Sequence, residues 1–388
     1  MTHIITTFAH GNGPYSRTID LALAVNQRLK EKMPIVVPLV YGDRQKKIIK
    51  EEHGESDLIL FDEFYGKILY ELFFKTGNYQ ENLEFLLKNQ PSLEERLRNY
   101  LSGTLRTKTF DGKEVLVKGS DVSFELSHNP RVATGYENSF YTTIGFFSQI
   151  LHFAMSEDLG FDSSLLREVG EIAHKIEDDK TLHFMPEPFV FSYNGARKRW
   201  KNEIFTPPFI HVPKDNDEEV QEGMYVMITG IDGLMELFNQ IGEFGMKLYC
   251  PPFVKDIKNA DNGHTPDFVA NPHIRYQFAR SGWSSVWLSH MTGTPLITPA
   301  YVNGDDPEIY FNERTIEKLG LGVVFRENEN PVEVLRRADS LRNRLEVVNQ
   351  GLMYTYGTLD GIDYTADVIV AHLRGEDISK YMKVEPCF

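Results

Sequence analysis

The sequence predicts an α/β protein made of two successive units, each with a parallel sheet covered by helices. Short apolar segments that suit buried strands alternate with segments of helical periodicity along most of the chain. A chain of 388 residues is also long enough for two domains with separate cores. Between the halves the composition becomes rich in proline and aromatic residues, and an acidic run follows over 215–219. These observations predict two α/β domains joined by a linker.

The first unit opens with a buried-strand pattern over 4–8, and a helix is expected from about Thr18 to Leu29 because apolar residues recur on one face. Further strands are predicted over 35–40, 58–61 and 122–126. From 181 to 213, prolines alternate with aromatic residues. We expect extended chain there that ends the first domain and leads into the linker.

The second unit is expected to begin with a strand over 224–230. Its further strands are predicted over 247–250, 274–278, 296–298 and 323–325. After Asn330 the chain has the pattern of helices. Strands that alternate with helices in this way favour a parallel sheet.

Charge and cysteine content exclude several classes of protein. The net charge is −15 at pH 7 and no basic block is present, so a nucleic-acid partner is not expected. Cys250 and Cys387 are far apart and predict neither a disulfide framework nor a zinc site, which suits a reducing cytoplasm. Neither a signal peptide nor a transmembrane segment is expected.

The most informative segment begins at Arg280 and runs to the predicted strand at 296–298. It starts Arg280-Ser281-Gly282-Trp283-Ser284-Ser285. This pattern predicts a strand end, a tight glycine turn and a helix whose first turn Ser284 and Ser285 can cap. Gly293 suits the end of that helix. A helix that begins after a glycine turn is a ready site for an anion, because free amides and the helix dipole both favour phosphate oxygens.

This segment resembles the nucleotide-binding signature of the inverting UDP-glycosyltransferases, in which His-x-Gly-Trp-Asn-Ser is followed by Gly-x-Pro. Gly282-Trp283, Ser285 and Gly293-Thr294-Pro295 fall at the matching positions without a gap. Two positions differ from the family. Arg280 replaces a histidine that contacts the donor phosphate, and its guanidinium also suits a diphosphate. Leu288 replaces a glutamate that holds the ribose hydroxyls.

The resemblance implies a GT-B fold, in which two Rossmann-like domains with parallel sheets face a central cleft. It divides the chain into an N-terminal acceptor-side domain over 1–213, a C-terminal nucleotide-sugar-binding domain over 214–355, and a final helical segment over 356–388 that crosses back to the N-terminal domain. It further implies an inverting, metal-independent hexosyltransferase-like enzyme without a cofactor. The donor would be a UDP- or dTDP-sugar and the acceptor would carry a hydroxyl group.

His10 is the candidate general base. It lies in the sequence His-Gly-x-Gly-Pro directly after the first strand, which resembles the N-terminal acceptor-side loop of GT-B enzymes. Histidine titrates near neutral pH and can accept a hydroxyl proton. A loop histidine that only bonds to the backbone is the alternative. Glu125 and Asp121 are both candidates for a carboxylate that orients the imidazole.

The candidate donor-binding residues lie in three segments of the second unit. The amides from Gly282 to Ser285 and the Arg280 side chain would stabilise the leaving diphosphate. Thr229 and Gly230, at the end of that unit's first strand, would join them. By resemblance, Asp305-Asp306-Pro307 would contact sugar hydroxyls, although such a sequence also suits a solvated surface turn. We expect no metal there, because no third ligand accompanies the two aspartates.

Two other functions stay open from the sequence. A UDP-sugar 2-epimerase or a related hydrolase shares the fold but needs acid and base carboxylates in the cleft. A catalytically silent nucleotide-sugar-binding protein is consistent with Leu288 in place of the glutamate. Two aromatic-rich stretches, 61–74 and 140–153, would line an acceptor pocket or form part of the core.

Overall fold

A computed structural model of the protein describes residues 3–388 except 74, 196, 229–233, 235–237, 239–240, 243–244, 253, 255–256, 258 and 327. Within this part of the chain, two separate sheets form the framework. No described helix combines the length and the apolar character that are needed to cross a bilayer.

The first sheet has nine described strands in the order β5-β4-β3-β2-β1-β6-β7-β8-β9. They are β1 (His3–Phe8), β2 (Ile35–Pro38), β3 (Ile59–Asp62), β4 (Thr104–Lys108), β5 (Glu114–Lys118), β6 (Val122–His128), β7 (Ser139–Thr142), β8 (Leu182–Pro186) and β9 (Glu203–Thr206). All neighbours are parallel except β3–β4 and β4–β5, which form an antiparallel edge. Every residue of β1 is buried, as expected for a central strand covered on both faces.

The second sheet is parallel throughout its described strands, in the order β12-β11-β10-β13-β14-β15. They are β10 (Gly223–Met227), β11 (Lys247–Cys250), β12 (Asp261–Asn262), β13 (Ile274–Ala279), β14 (Leu296–Pro299) and β15 (Gly322–Phe325). The predicted strands at 247–250 and 274–278 are therefore confirmed nearly to the residue.

Helices lie between the strands and pack on the sheets. In the first half they are α1 (Asn12–Arg28), α2 (Asp43–His53), α3 (Glu63–Glu71), α4 (Tyr79–Leu101), α5 (Phe147–Ala154) and α6 (Ser163–Asp178). In the second half they are α7 (Trp283–Thr292), α8 (Pro307–Leu319), α9 (Pro331–Asp339), α10 (Arg342–Tyr356), α11 (Gly361–Leu373) and α12 (Ser379–Met382). Helix α1 begins six residues before the predicted start, directly after the loop that carries His10.

The segment from 181 to 213 differs from the prediction of extended connecting chain. It contains β8 and β9, whose residues are all buried and which complete one edge of the first sheet. β8 ends in Pro186 and the edge strand β9 is followed by Pro207, and proline suits a strand end because it lacks the N–H that the interior of a ladder requires. The chain between the sheets is therefore shorter, and 207–222 contains no described strand or helix.

Strand order determines where the two sheets bind ligands. In the first sheet β1 lies between β2 and β6, and in the second sheet β10 lies between β11 and β13. In sheets of this kind the crevice opens at the carboxyl ends of the strands where the order reverses. The loops after β1, β6 and β13 therefore border this crevice, as does the carboxyl end of β10.

Helix α11 returns to the first half of the chain and packs against α1. Its Asp367 pairs with Arg28 of α1 at 2.5 Å. The helix start is also close to the backbone of 207–208, because the Gly361 amide donates to the Pro208 carbonyl at 2.9 Å. A Cβ at Gly361 would lie 2.3 Å from that carbonyl oxygen, so only glycine fits this approach.

Candidate active site

His10 lies in the loop between β1 and α1, at the carboxyl edge of the first sheet. The Ala9 amide donates to the His128 carbonyl at 2.9 Å, which joins this loop to the end of β6. The Gly11 amide donates to the Tyr41 hydroxyl at 2.8 Å. Gly11 itself has a φ of +109°, a region that favours glycine. The loop is thus fixed on both sides of His10, which stays partly exposed.

The surroundings of His10 favour its neutral form. Partial burial is the main cause that lowers the pKa of the imidazole, and the charges of Arg131 and Lys75 lower it further. The ring also packs edge-on against Phe73, with 5.4 Å between ring centroids. A neutral imidazole at neutral pH is the form that can accept a proton.

Neither predicted carboxylate orients His10. Glu125 is fully buried in the first sheet, where it binds Lys180 at 2.8 Å and the Thr134 hydroxyl at 2.8 Å. Asp121 precedes β6 and its carbonyl contacts His3, at the opposite end of the strand from His10. Glu125 has this structural partner because a buried carboxylate requires a compensating charge.

Helix α7 begins at Trp283, and Gly282 is its N-cap with no side-chain cap. The predicted caps, Ser284 and Ser285, therefore lie inside the first turn. Ser284 is exposed and Ser285 is buried. Gly282 has a φ of −74°, so the expected tight positive-φ turn is wrong at this position. The helix still ends as predicted, at Gly293 with a φ of 68°.

Trp283 is a core residue that anchors the start of α7. Only 2% of its surface is exposed, and its indole N–H donates to the Asn312 side chain at 2.7 Å. The Asn312 amide in turn donates to the Ser281 carbonyl at 2.8 Å. The Ser281 side chain is fully buried as well. The Trp283 indole and the Ser281 carbonyl thus hold the start of α7 against α8 through Asn312, and the exposed side chains of the motif are those of Arg280 and Ser284.

Arg280 and Asp305 form an ion pair beside the start of α7, and both side chains are about half exposed. Asp306 is the N-cap of α8 and accepts from the Glu308 amide at 2.9 Å. Burial raises the pKa of both the Asp306 and Glu308 carboxyl groups, that of Glu308 to about 8, with Asp306 as the second cause for Glu308. At neutral pH Glu308 can therefore donate a hydrogen bond as well as accept one.

Two helix starts meet in the cleft between the sheets. A Cβ at Gly13, in the first turn of α1, would lie 3.8 Å from the Ser284 hydroxyl oxygen in the first turn of α7. Neither helix has a side-chain cap or an acidic residue in its first turn. The positive ends of both helix dipoles are therefore directed into the same space.

The first half of the chain also reaches Asp306. Tyr79, the first residue of α4, forms a hydrogen bond with the Asp306 carboxylate. Arg131, in the loop after β6, acts electrostatically on His10, Asp306 and Glu308. The structure thus places Tyr79 beside Asp306, and Arg131 lies within electrostatic range of both His10 and Asp306.

Sequence reasoning missed Tyr41, Tyr79, Arg131 and Glu308. The position of Arg131 carried a signal, because Asn129-Pro130-Arg131 follows a predicted strand whose carboxyl end faces the crevice. Tyr79 carried no such signal, since it begins a helix that follows no predicted strand. The predicted donor residues Thr229 and Gly230 lie outside the described residues.

The two aspartates at 305–306 belong to no group of three potential metal ligands in the described part of the chain. The group that the described residues do form is His211, Asp360 and Asp363, whose ligand atoms lie within 4.8 Å of one another. There His211 and Asp360 are 2.9 Å apart, and Asp360 is the N-cap of α11.

The sequence matches no protein-family model and no characterised protein with which it was compared. The fold, in contrast, matches solved structures over nearly its whole length. A UDP-glucosyltransferase from Polygonum tinctorium capable of glucosylating indoxyl superposes with a TM-score of 0.59 at 9% identity, over 97% of this chain and 99% of that one. The chain has the GT-B fold.

Two further structures have the same GT-B fold. The glycosyltransferase SnogD from Streptomyces nogalater matches with a TM-score of 0.57 at 12% identity, covering 96% of this chain and 99% of that chain. Arabidopsis thaliana UGT89C1, complexed with UDP-L-rhamnose, matches with a TM-score of 0.59 at 12% identity and the same coverage. The predicted fold class, with two Rossmann-like domains and a cleft between them, is therefore confirmed.

Proposed function

We propose that this protein is an inverting glycosyltransferase that moves a sugar from a nucleotide-sugar donor to a hydroxyl-bearing acceptor. The observation that carries the proposal is the meeting of two uncapped helix starts, at Gly13 and Ser284, in the cleft that also contains His10 and Arg280. Such a site suits a diphosphate. The domain limits proposed for this function are 1–213, 214–355 and 356–388.

In the proposed reaction His10 takes the proton from the acceptor hydroxyl. The hydroxyl oxygen then forms a bond to the anomeric carbon, on the face opposite the nucleotide. The bond from that carbon to the diphosphate oxygen breaks, and its electron pair leaves with the diphosphate. The amides at the start of α7 and the Arg280 guanidinium stabilise this growing charge, the kind of contribution that typically lowers a barrier by about 3–4 kcal/mol per donor.

The sugar would bind near the start of α8. Asp305 and Asp306 supply acceptors for sugar hydroxyl groups, and Glu308, with its pKa raised to about 8 by burial, also supplies a donor. The donor nucleotide is proposed to be UDP, because similar structures were determined with UDP and with UDP-L-rhamnose. A dTDP-sugar has no such support and is an alternative to test. Transfer is proposed to need no metal, since the cationic groups at the helix starts supply the charge that a metal would.

The test is product formation from UDP-glucose, UDP-rhamnose and dTDP-glucose with a panel of hydroxyl-bearing acceptors, with and without a chelator. We expect an acceptor glycoside of inverted anomeric configuration by NMR, at a rate that the chelator leaves unchanged. Release of free sugar without acceptor would instead indicate a hydrolase, and a 2-epimeric UDP-sugar would indicate an epimerase. Tight UDP binding without any product would indicate a silent binding protein.

A further inference from the structure

The loop after β6 is built to hold Arg131 in the cleft. Asn129 has a φ of 46°, which is uncommon for a residue other than glycine. Its side-chain oxygen accepts from the Tyr141 hydroxyl at 2.9 Å and from the Thr143 hydroxyl. Its amide donates to the Thr142 carbonyl at 3.3 Å. A strained residue that its surroundings fix so firmly is typical of a functional loop.

The Arg131 guanidinium has spare donors. It lies 3.5 Å over the ring of Phe147, and one nitrogen contacts the Asn129 carbonyl at 3.4 Å. Among the described ion pairs, which extend to 4.0 Å, none includes Arg131. Guanidinium has five N–H donors in a planar fork, so most of them have no carboxylate partner among the described ion pairs.

The acids closest to Arg131 in electrostatic terms have raised pKa values. Burial raises the pKa of Glu177 to about 7 and of Glu308 to about 8, and it also raises that of Asp306. These groups are therefore protonated to a greater extent than ordinary carboxyl groups near neutral pH. Their charges offset that of the guanidinium less than ordinary carboxylates would.

A second cation lies on the same side of the cleft. Lys75 has its ammonium 3.4 Å from the centroid of the Tyr70 ring, and its charge acts on His10 together with that of Arg131. The candidate base is thus surrounded by positive charge in a chain whose net charge is −15. Both cations belong to the acceptor side of the cleft, opposite the start of α7.

We propose, on the basis of the proposed transferase function, that the acceptor is a hydroxy acid whose carboxylate is bound by the Arg131 guanidinium, with Lys75 nearby. A planar carboxylate fits the fork in a bidentate manner. The bound carboxylate places a negative charge beside His10. It stabilises the imidazolium that forms when His10 takes the hydroxyl proton.

The experiment measures binding of phenolic acids and of their neutral primary amides, such as 4-hydroxyphenylacetate and 4-hydroxyphenylacetamide, by calorimetry with and without saturating UDP. We expect the acids to bind about 10- to 100-fold more tightly, as for loss of a charge-assisted bidentate bond. Arg131→Gln should remove this preference and Arg131→Lys should retain part of it. Arg167→Gln, at an exposed site on α6, is the matched control and should change nothing.

Three outcomes overturn the inference. The first is that the wild-type protein binds acids and amides equally throughout the panel. The second is that Arg131→Gln keeps the preference for acids, and the third is that Arg167→Gln loses this preference as well. UDP affinity is measured in every variant and should stay within about twofold. Failure of the wild-type protein to bind UDP or to form product would instead reject the proposed transferase function, because preference for the acid is measured without donor as well.

Discussion

The two sides of the cleft are built in different ways. On the side of the second sheet, the proposed diphosphate site comes from one continuous segment, Arg280 to Ser285, and consists mainly of backbone amides at the start of α7. On the side of the first sheet, His10, Tyr41, Tyr79 and Arg131 come from four separate segments and act through side chains. A site made of backbone is visible in a local motif, whereas a site made of distant side chains becomes visible only after folding.

The largest effect is expected from His10→Ala. Loss of a general base typically reduces the rate by about 10²–10⁴-fold, and transfer should fall by this factor. UDP affinity should stay nearly unchanged, because the imidazole would act on the acceptor. Steady-state kinetics and UDP calorimetry on the same preparation measure both quantities.

Unchanged turnover in His10→Ala would show that the His10 side chain is not the base.

The pH dependence of the wild-type rate is a second test of His10. Since burial and two cations lower the pKa of His10 below its ordinary value of 6.5, the base form persists to lower pH. The wild-type kcat/KM should therefore lose activity only below that value as the pH falls, and Arg131→Gln should move the fall toward higher pH.

Leu288→Glu tests whether α7 can regain the family's ribose-binding carboxylate. Leu288 is 6% exposed and belongs to the core, whereas Ser284 one turn earlier is exposed. We expect a loss of about 3 kcal/mol or more in unfolding free energy, because an unpaired carboxylate would be buried. Thermal melting measures this.

Leu288→Met is the matched control and should cost less than about 1.5 kcal/mol. A stable Leu288→Glu protein with a new preference for UDP over 2′-deoxy-UDP would show that position 288 can face the ribose. Helix α7 would then contact the nucleotide with a side chain as well as with its backbone amides.

Ser284→Glu places a negative charge at the meeting point of the two helix starts. We expect UDP affinity to fall by about tenfold or more, since the carboxylate competes for the amides that would bind the diphosphate. Ser284→Gln has the same shape without the charge and should bind UDP within about threefold of the wild-type protein. Equal losses in both variants would point to steric obstruction and against an electrostatic site.

The smallest effect is expected from Tyr41→Phe. It removes the hydroxyl that accepts from the Gly11 amide at 2.8 Å, and a hydrogen bond of this kind contributes about 0.5–1.5 kcal/mol. We expect kcat to fall a few-fold with KM for the donor unchanged, because Tyr41 positions the His10 loop. A change in donor KM alone would show that Tyr41 acts on donor binding and not on the His10 loop.

The difference between local and distant contacts also explains which features the sequence predicts correctly. Gly293 as a helix end and the strand at 247–250 depend on neighbouring residues, and both were correct. Ser284 and Ser285 were wrong as caps by only two and three positions, because serine suits both the cap and the first turn. The proline-rich segment at 181–213 was wrong as a connector, because its two buried strands are recognised only by the sheet edge that they complete.

On the side of the first sheet, the sequence predicts the position of His10 but not the residues around it. The motif around it gave its loop and its place after β1, but not its neighbours. Glu125 was a reasonable partner by sequence position, yet its carboxylate faces Lys180, 55 residues further along the chain. No local pattern carries such information, since the partner is selected by strand order and not by spacing.

The return of α11 to the first half has a mechanical consequence. The chain passes between the sheets at 207–222 and again at 357–360, and these passages touch where Gly361 meets Pro208 and where His211 meets Asp360. Contacts away from these passages also join the two halves, because the Thr315 hydroxyl of α8 donates to the Val190 carbonyl and Arg314 of α8 pairs with Glu157. Any movement that opened the cleft would therefore have to break the contacts of α8 as well as strain the two passages, so the start of α7 and the His10 loop are held together from more than one place.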